Sequence, residues 1–110
     1  MNKADELIRL TEDIATTAHL LADAVADEQA LEDNRINVKL AAIDRIMSAG
    51  DNQFTGKPHS FSSAEALVNT DVEYQAYLER QRQAVRRRIL AKGAYDTAIA
   101  AARLGAVDVV

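Results

Sequence analysis

The most chemically distinctive stretch of the sequence is a basic block at residues 80–92. It contains no acidic residue and six cationic ones: Arg80, Arg82, Arg86, Arg87, Arg88 and Lys92. Clustered cations of this kind neutralise phosphates, so the block is the candidate contact for nucleic acid or another anion. Successive side chains on a helix point about 100° apart, so three adjacent arginines cannot all face one partner. At least one of them is therefore expected to remain free for an external anion.

The charge distribution also offers these cations partners within the protein. Residues 1–50 carry ten acidic and five basic side chains, whereas the rest of the chain carries seven acidic and eight basic ones. If the chain doubles back in a central loop, the basic block lies opposite residues 26–38. That segment holds four acidic side chains: Asp27, Glu28, Glu32 and Asp33. We favour pairing with these residues, which would place Glu32 near Arg82, Arg86 or Arg88.

Other residue types that support metal binding or nucleotide binding lack the neighbours they need. The chain has no Cys and two histidines, His19 and His59, neither of which has a second ligand at metal-site spacing. Residues 50–57 place five residues between two glycines where a phosphate-binding loop has four, and Pro58 follows where that loop has Ser or Thr. We therefore expect no metal site and no cofactor.

The first half of the chain is predicted to be one helix over residues 4–49, which contain no Gly and no Pro. Apolar residues spaced by three and four define its core-facing side: Leu7, Leu10, Ile14, Ala18, Leu21, Val25, Ile36, Leu40, Ile43 and Met47. The last four repeat an earlier set after two 11-residue units, which predicts a nearly straight helix. Gln29 and Glu32 interrupt this side, so a polar layer is expected at mid-length.

A loop over residues 50–62 is predicted to end this helix. It contains the only Pro, two of the four Gly and several turn-forming side chains. Ser62 followed by Glu65 has the spacing of a capping box, in which each side chain satisfies a backbone N–H at a helix start. We therefore predict a short helical turn over residues 63–69.

A second long helix is predicted over residues 71–104. Thr70 with Glu73 forms another capping-box pattern at its start, and Gly105 is expected to end it before a tail at residues 105–110. Its core-facing residues are expected to be Tyr74, Leu78, Val85, Ile89, Ile99 and Ala102.

The composition agrees with slender helices in one domain over residues 1–110. The chain is 48% hydrophobic and 27% charged, which excludes disorder as its main state. Alanine accounts for 21 residues, against three Tyr, two Phe and no Trp, so strands are not expected. The predicted fold is all-α, an antiparallel two-helix hairpin of the coiled-coil type. Two slim helices offer no pocket to tune carboxylates for acid–base chemistry, so we expect no enzymatic activity.

Apolar residues outside the core-facing side of the first helix point to self-association. They are Leu20, Leu31, Val38 and Ile46. Two helices bury one side each, so a wider apolar arc needs further helices to cover it. These residues are therefore predicted to form an oligomer interface, through which two hairpins dimerise into a four-helix bundle.

The N-terminal sequence indicates a cytoplasmic protein. Asp5 and Glu6 stand where a signal peptide carries basic residues. The longest uncharged stretch nearby, residues 14–22, is far shorter than the roughly 20 apolar residues that cross a bilayer. The absence of Cys fits a reducing compartment. We expect no membrane association.

The second half of the chain also supports a comparison with a known class. Thr70-Asp71-Val72-Glu73-Tyr74 opens a helix that continues through the basic block and Tyr95-Asp96 to Ala102-Arg103-Leu104. This part resembles small helical-hairpin proteins of unknown function from the early regions of phages and prophages. The resemblance implies a phage accessory protein and carries over no catalytic residue. The sequence as a whole favours a non-enzymatic interaction or scaffolding protein. The alternative is a small nucleic-acid-associated regulator that uses the basic block.

Overall fold

The computed structural model describes residues 2–109, with side chains described up to residue 105. Its helices are α1 (Lys3–Asp33), α2 (Arg35–Ala49), α3 (Phe61–Glu65), a 3-10 turn (Val68–Thr70) and α4 (Val72–Val109). Between these limits the chain forms no β-strand, and an isolated bridge joins Asp51 to Pro58 in the loop. The all-α class that the sequence predicts is confirmed.

The single helix predicted over residues 4–49 is two helices in the structure, which meet at Asn34. The backbone of Asn34 (φ −89°, ψ −1°) stays in the right-handed helical region but deviates from ideal α-helical dihedrals, mainly in ψ. Its N–H lies 3.3 Å from the Ala30 carbonyl oxygen and 3.2 Å from that of Leu31, so one donor is shared between two acceptors. Val38 N–H donates to the Asn34 carbonyl at 3.0 Å, and the chain is helical again at once. Asn is unfavourable inside a helix because its side chain competes with the backbone for hydrogen bonds. The spacing of apolar residues carries no information about this effect, so the interruption was not predicted.

The loop ends two residues earlier than the capping-box pattern predicts. Ser60, and not Ser62, caps α3: its Oγ accepts the N–H of Ser63 at 3.1 Å from an extended backbone conformation. In place of the helical turn predicted over residues 63–69, the chain forms α3 and then the 3-10 turn.

Helix α4 begins at a different cap and extends further than predicted. Asp71 caps it, since Asp71 Oδ1 accepts the N–H of Tyr74 at 2.8 Å, whereas Thr70 Oγ1 donates to a carbonyl of the preceding turn. Gly105 does not end the helix, which continues to Val109. A methyl group at Gly105 would come within 2.7 Å of Leu10 Cδ1, so this glycine serves the close approach of two helices.

The chain divides into two compact units: one combines residues up to 29 with those from 84 onward, and the other consists of residues 30–83. In the first unit the inward sides of α1 and α4 follow alternating steps of three and four. The residues on α1 are Leu7, Leu10, Ile14, Thr17, Leu21, Ala24 and Glu28, all buried or half-buried. Those on α4 are Ala84, Arg88, Ala91, Tyr95, Ala98, Ala102 and Gly105. Residues spaced in this way occupy the a and d positions of a heptad repeat. We call these two sets of residues the seam of the first unit.

The seam differs from the side that the apolar spacing predicts. Leu7, Leu10, Ile14 and Leu21 lie in it as expected. Five residues predicted to face the core are exposed instead: Val25 (46%), Ile36 (72%), Leu40 (47%), Met47 (42%) and Ile89 (56%). For Val25 and Ile89, in the first unit, the difference arises because burial follows the seven-residue repeat, and several of its positions hold small or polar residues. The spacing of the large apolar residues alone leaves out these small and polar positions, and it shows an 11-residue repeat instead.

The core of the second unit is formed by α2, α3, the 3-10 turn and the start of α4. Its buried residues are Ala42, Ile43, Ala64, Val68, Tyr74 and Tyr77. Tyr77 is fully buried, and its hydroxyl donates to the Leu31 carbonyl oxygen at 2.6 Å. This bond satisfies a carbonyl next to the break at Asn34. The Tyr74 ring stacks beside it at a centroid distance of 6.2 Å.

Candidate functional site

In the first unit, the basic block is largely engaged by acidic side chains. Arg87 pairs with Asp27 and Arg88 pairs with Glu28, as the charge distribution predicts. Lys92 Nζ lies 3.2 Å from Asp96 Oδ2, one helical turn away. Arg86 is exposed and makes no hydrogen bond or ion pair with any residue that the structure describes.

In the second unit, Arg82 contacts Glu79 at 2.9 Å. Hydrogen bonds from Gln83 and from Arg82 lower the pKa of Glu79. Arg80 is exposed and has no ion pair among the described residues. Glu32, predicted near Arg82, Arg86 or Arg88, pairs with none of them in the described part of the chain. Instead, Gln81 donates to its carboxylate at 3.0 Å, and Arg35 is 3.4 Å away. Of the six cations in the basic block, Arg80 and Arg86 are the two left for an external anion.

The polar layer is real but lies at a different residue from the ones predicted. Gln29 and Glu32 are exposed, whereas Glu28 occupies an a position of the seam and pairs with Arg88, at an a position of α4. The Glu28 and Arg88 side chains are 27% and 36% exposed. Any shift of one helix along the other would separate this half-buried pair, so the pair fixes the alignment of the two helices in the first unit.

A second charged cluster joins α2 to the start of α4. Arg45 binds Asp71 through two hydrogen bonds, 3.0 Å from Nε and 2.7 Å from Nη2, and lies 2.9 Å from Glu73. The bond from Arg45, aided by the N–H of Tyr74, lowers the pKa of Asp71, whose side chain is 11% exposed. A carboxylate held ionised and fully bonded in this way is suited to anchoring α4 and not to proton transfer. Arg45 and Asp71 are 26 positions apart in the sequence, and no sequence pattern indicated that they would meet.

A hollow of about 480 Å³ in the second unit opens beside the loop. Its apolar lining includes Ile46, Phe54 and Leu67, and its polar lining includes His59. His59 Nδ1 lies 2.9 Å from Ser63 Oγ, with no carboxylate bonded to either group in the described structure. Over the same residues, no group of three His, Cys, Asp or Glu side chains is placed to hold a metal ion.

An open groove of similar volume lies in the first unit between α1 and α4. It is lined by Leu20 and Leu90, which are 56% and 65% exposed, and by the Asp27–Arg87 pair. Leu20 thus remains accessible to a partner. The other three residues predicted for the oligomer interface, Leu31, Val38 and Ile46, are half-buried and pack against the core of the second unit.

The heptad repeat reveals a surface on α1 that the spacing of large apolar residues does not indicate. Beside the seam, the b and e positions between residues 8 and 25 carry no charged side chain: they are Ile8, Thr11, Ala15, Ala18, Ala22 and Val25. We call these six residues the uncharged face. The charged residues of α1 in the first unit all lie at other heptad positions. The signal was present in the sequence, but it appears only once the charges are plotted on a seven-residue repeat.

Between residues 2 and 109, none of the helices contains an apolar stretch of the length that spans a bilayer.

Comparison with known proteins gives no family for this chain. Protein-family models, curated proteins and solved structures yield no match to the chain.

Proposed function

We propose that the protein is a non-enzymatic scaffolding module, an antiparallel helical hairpin that self-associates through its helices into a four-helix bundle. The observation that carries this proposal is the number of large apolar side chains that remain exposed while alanines fill half of the buried hydrophobic positions. The partner is a second copy, and the assembled bundle presents helical surface to further proteins.

Small residues fill much of the interior. Five of the ten buried hydrophobic residues are alanines: Ala24, Ala42, Ala64, Ala84 and Ala98. The exposed large hydrophobic residues are Ile8, Leu20, Val25, Ile36, Leu40, Met47, Phe54, Phe61, Val72, Ile89, Leu90 and Leu104. Exposed apolar surface on this scale is typical of helices that a partner covers. Burial of such side chains on association contributes about 1.5–3 kcal/mol each when it is complete.

The alternative, a nucleic-acid-associated regulator, has weaker support. Four of the six cations in the basic block are paired with acidic side chains in the same chain, and the protein carries a net charge of −4. Phosphate contacts would have to break these pairs or rely on Arg80 and Arg86. Because residues 70–104 resemble phage hairpin proteins, our proposal extends to a role as a phage or prophage accessory protein.

The proposal is tested by measuring mass in solution. Sedimentation equilibrium at tens of micromolar is expected to give a dimer or a larger assembly, and a monomeric mass would overturn self-association. In parallel, labelled DNA is titrated with protein at low and physiological salt. We expect no steep salt dependence of binding. Binding that weakens steeply with salt and is lost in Arg86→Glu would favour the nucleic-acid alternative.

A further inference from the structure

We propose that two copies of the chain pack antiparallel through the uncharged face of α1, about a two-fold axis at Ala15. This inference rests on the proposed self-association and adds the surface, the orientation and the register to it.

The first support is the exposure of the uncharged face in the single chain. Ile8 is 57% and Val25 46% exposed, and Ala15 and Ala22 are exposed as well. A helix side that faces water normally carries charged residues, as the remaining outward positions of α1 do. Together with the seam, the uncharged face gives α1 two adjacent apolar sides. The helix α4 covers the seam, so the uncharged face is left for another helix.

The second support is the order of side-chain sizes along the face. Ile8, Ala15 and Ala22 follow one another at steps of seven, on a single line of the helix. In an antiparallel pair centred on Ala15, each Ile8 lies against the partner's Ala22, and the two copies of Ala15 meet at the axis. Large residues then oppose small ones at both ends, and the shortest side chains allow the closest approach at the centre.

The third support is the charge pattern along one edge of the face. Glu12 and His19 lie at successive f positions, one on each side of Ala15. The proposed axis places Glu12 opposite the partner's His19, and this pair occurs twice. A slip by seven residues in one direction would oppose two copies of Glu12, and a slip in the other direction would oppose two copies of His19. Two carboxylates repel each other, and two imidazoles lack the carboxylate that can accept an imidazole N–H, so the Glu12–His19 pairing selects the proposed register.

These patterns also identify the occupant as a second copy. About an axis at Ala15 the surface is complementary to itself, because Ile8 meets Ala22 and Glu12 meets His19 in both halves of the interface. An isologous interface requires this property, because one surface must complement itself. A partner of different sequence imposes no such symmetry on the surface that it binds.

A single introduced thiol tests the axis directly, because the chain contains no cysteine. In Ala15→Cys the two thiols face each other within disulfide reach, so mild oxidation is expected to link most of the protein into a dimer on non-reducing gels. Leu20→Cys is the matched control: the thiol is equally accessible but lies in the groove on another side of α1. We expect no more than slow background linkage for it.

A second pair of variants keeps the inference testable if the thiol disturbs packing. Ile8→Glu places a charge in the proposed interface and is expected to raise the dimer dissociation constant at least about 100-fold. Leu20→Glu is the control and is expected to leave that constant within about threefold of the parent. Circular dichroism of both variants checks that helix content is kept, since both positions are exposed.

The outcomes separate this inference from the function on which it rests. A monomeric parent protein would overturn both. A dimeric parent whose association is weakened at Leu20 and not at Ile8 would leave self-association standing and overturn the uncharged face. Dissociation by Ile8→Glu without linkage of Ala15→Cys would overturn the two-fold register.

Discussion

At the scale of single residues, the Tyr77 hydroxyl compensates for a local defect in the helices. The break at Asn34 perturbs the hydrogen-bond ladder, and Tyr77 supplies a donor to the Leu31 carbonyl from a fully buried position. Burial also raises the pKa of Tyr77 above its ordinary value of 10.0, so the hydroxyl remains a donor at alkaline pH as well as at neutral pH.

Tyr77→Phe is expected to destabilise the fold by about 1–2 kcal/mol, because the Leu31 carbonyl keeps only the shared N–H of Asn34 while the ring packing is unchanged. Chemical denaturation followed by circular dichroism measures this. Tyr95→Phe is the matched control, since the Tyr95 hydroxyl has no hydrogen bond within the described chain, and its expected cost is under about 0.5 kcal/mol. Equal costs for the two variants would contradict the role of the Tyr77 hydroxyl.

Asp71 is the residue at which stability is expected to depend on pH. Its pKa in the fold lies below the ordinary value of 3.8, so at acid pH the unfolded chain binds the proton first. The stabilisation is therefore present above the ordinary value and is lost as pH falls through the lower folded pKa. We expect Asp71→Asn to cost about 1–3 kcal/mol at neutral pH and the difference from the parent to shrink as pH falls through the lowered pKa of Asp71.

Denaturation curves of the parent and Asp71→Asn across this pH range measure the difference. Asp96→Asn serves as the control, because its pair with Lys92 is 59–60% exposed and contributes under about 1 kcal/mol. A difference between parent and Asp71→Asn that stays constant with pH would show that the cost arises elsewhere.

At the scale of elements, the sequence predicts the presence of helices better than the sides that they bury. The absence of Gly and Pro and the three-four spacing identify the helical stretches, because these features report on backbone preference. They do not show which side is covered. Val25 is large and exposed, whereas its neighbour Ala24 is 1% exposed in the seam. Only the partner helix, with its line of Ala84, Ala91 and Ala98, decides between them.

For the same reason, only part of the candidate oligomer interface could be predicted from the sequence. Leu20 remains exposed as the sequence suggests, but Leu31, Val38 and Ile46 are used inside the second unit. Their burial depends on α3 and the 3-10 turn, short elements with little periodicity. The polar layer at Glu28 is one residue away from Gln29 because the repeat is seven residues and not eleven.

Replacing a small residue of the seam with a larger one is expected to lower the free energy of unfolding. Ala98 is 8% exposed, so Ala98→Leu must displace side chains of α1 and is expected to cost about 1–3 kcal/mol. Ala94→Leu, one turn earlier on the exposed side of α4, makes the same chemical change and is expected to stay within about 0.5 kcal/mol. Thermal or chemical denaturation compares them. A similar effect at both sites would show that Ala98 is not confined by the opposite helix.

At the scale of the whole molecule, the proposed self-association would link folding stability to protein concentration, because the single chain leaves large apolar side chains exposed. Alanine side chains bury little area each, so the single chain has a limited hydrophobic gain to set against its conformational entropy. Association that covers Ile8, Val25 and similar residues adds to that gain only when a second copy is bound. Folding stability should therefore depend on protein concentration.

The melting temperature of the parent protein is expected to rise by about 3 °C for each tenfold increase in concentration. Each tenfold step contributes about 0.7 kcal/mol per chain in a folded dimer that dissociates on unfolding. One kcal/mol shifts the midpoint of a domain of this size by roughly 4–6 °C. Ile8→Glu removes the coupling, so its midpoint is expected to be lower and independent of concentration, while Leu20→Glu keeps the slope of the parent. Scanning calorimetry or circular dichroism over two decades of concentration measures all three, and a parent midpoint that does not move would show that the folded chain is stable without a partner.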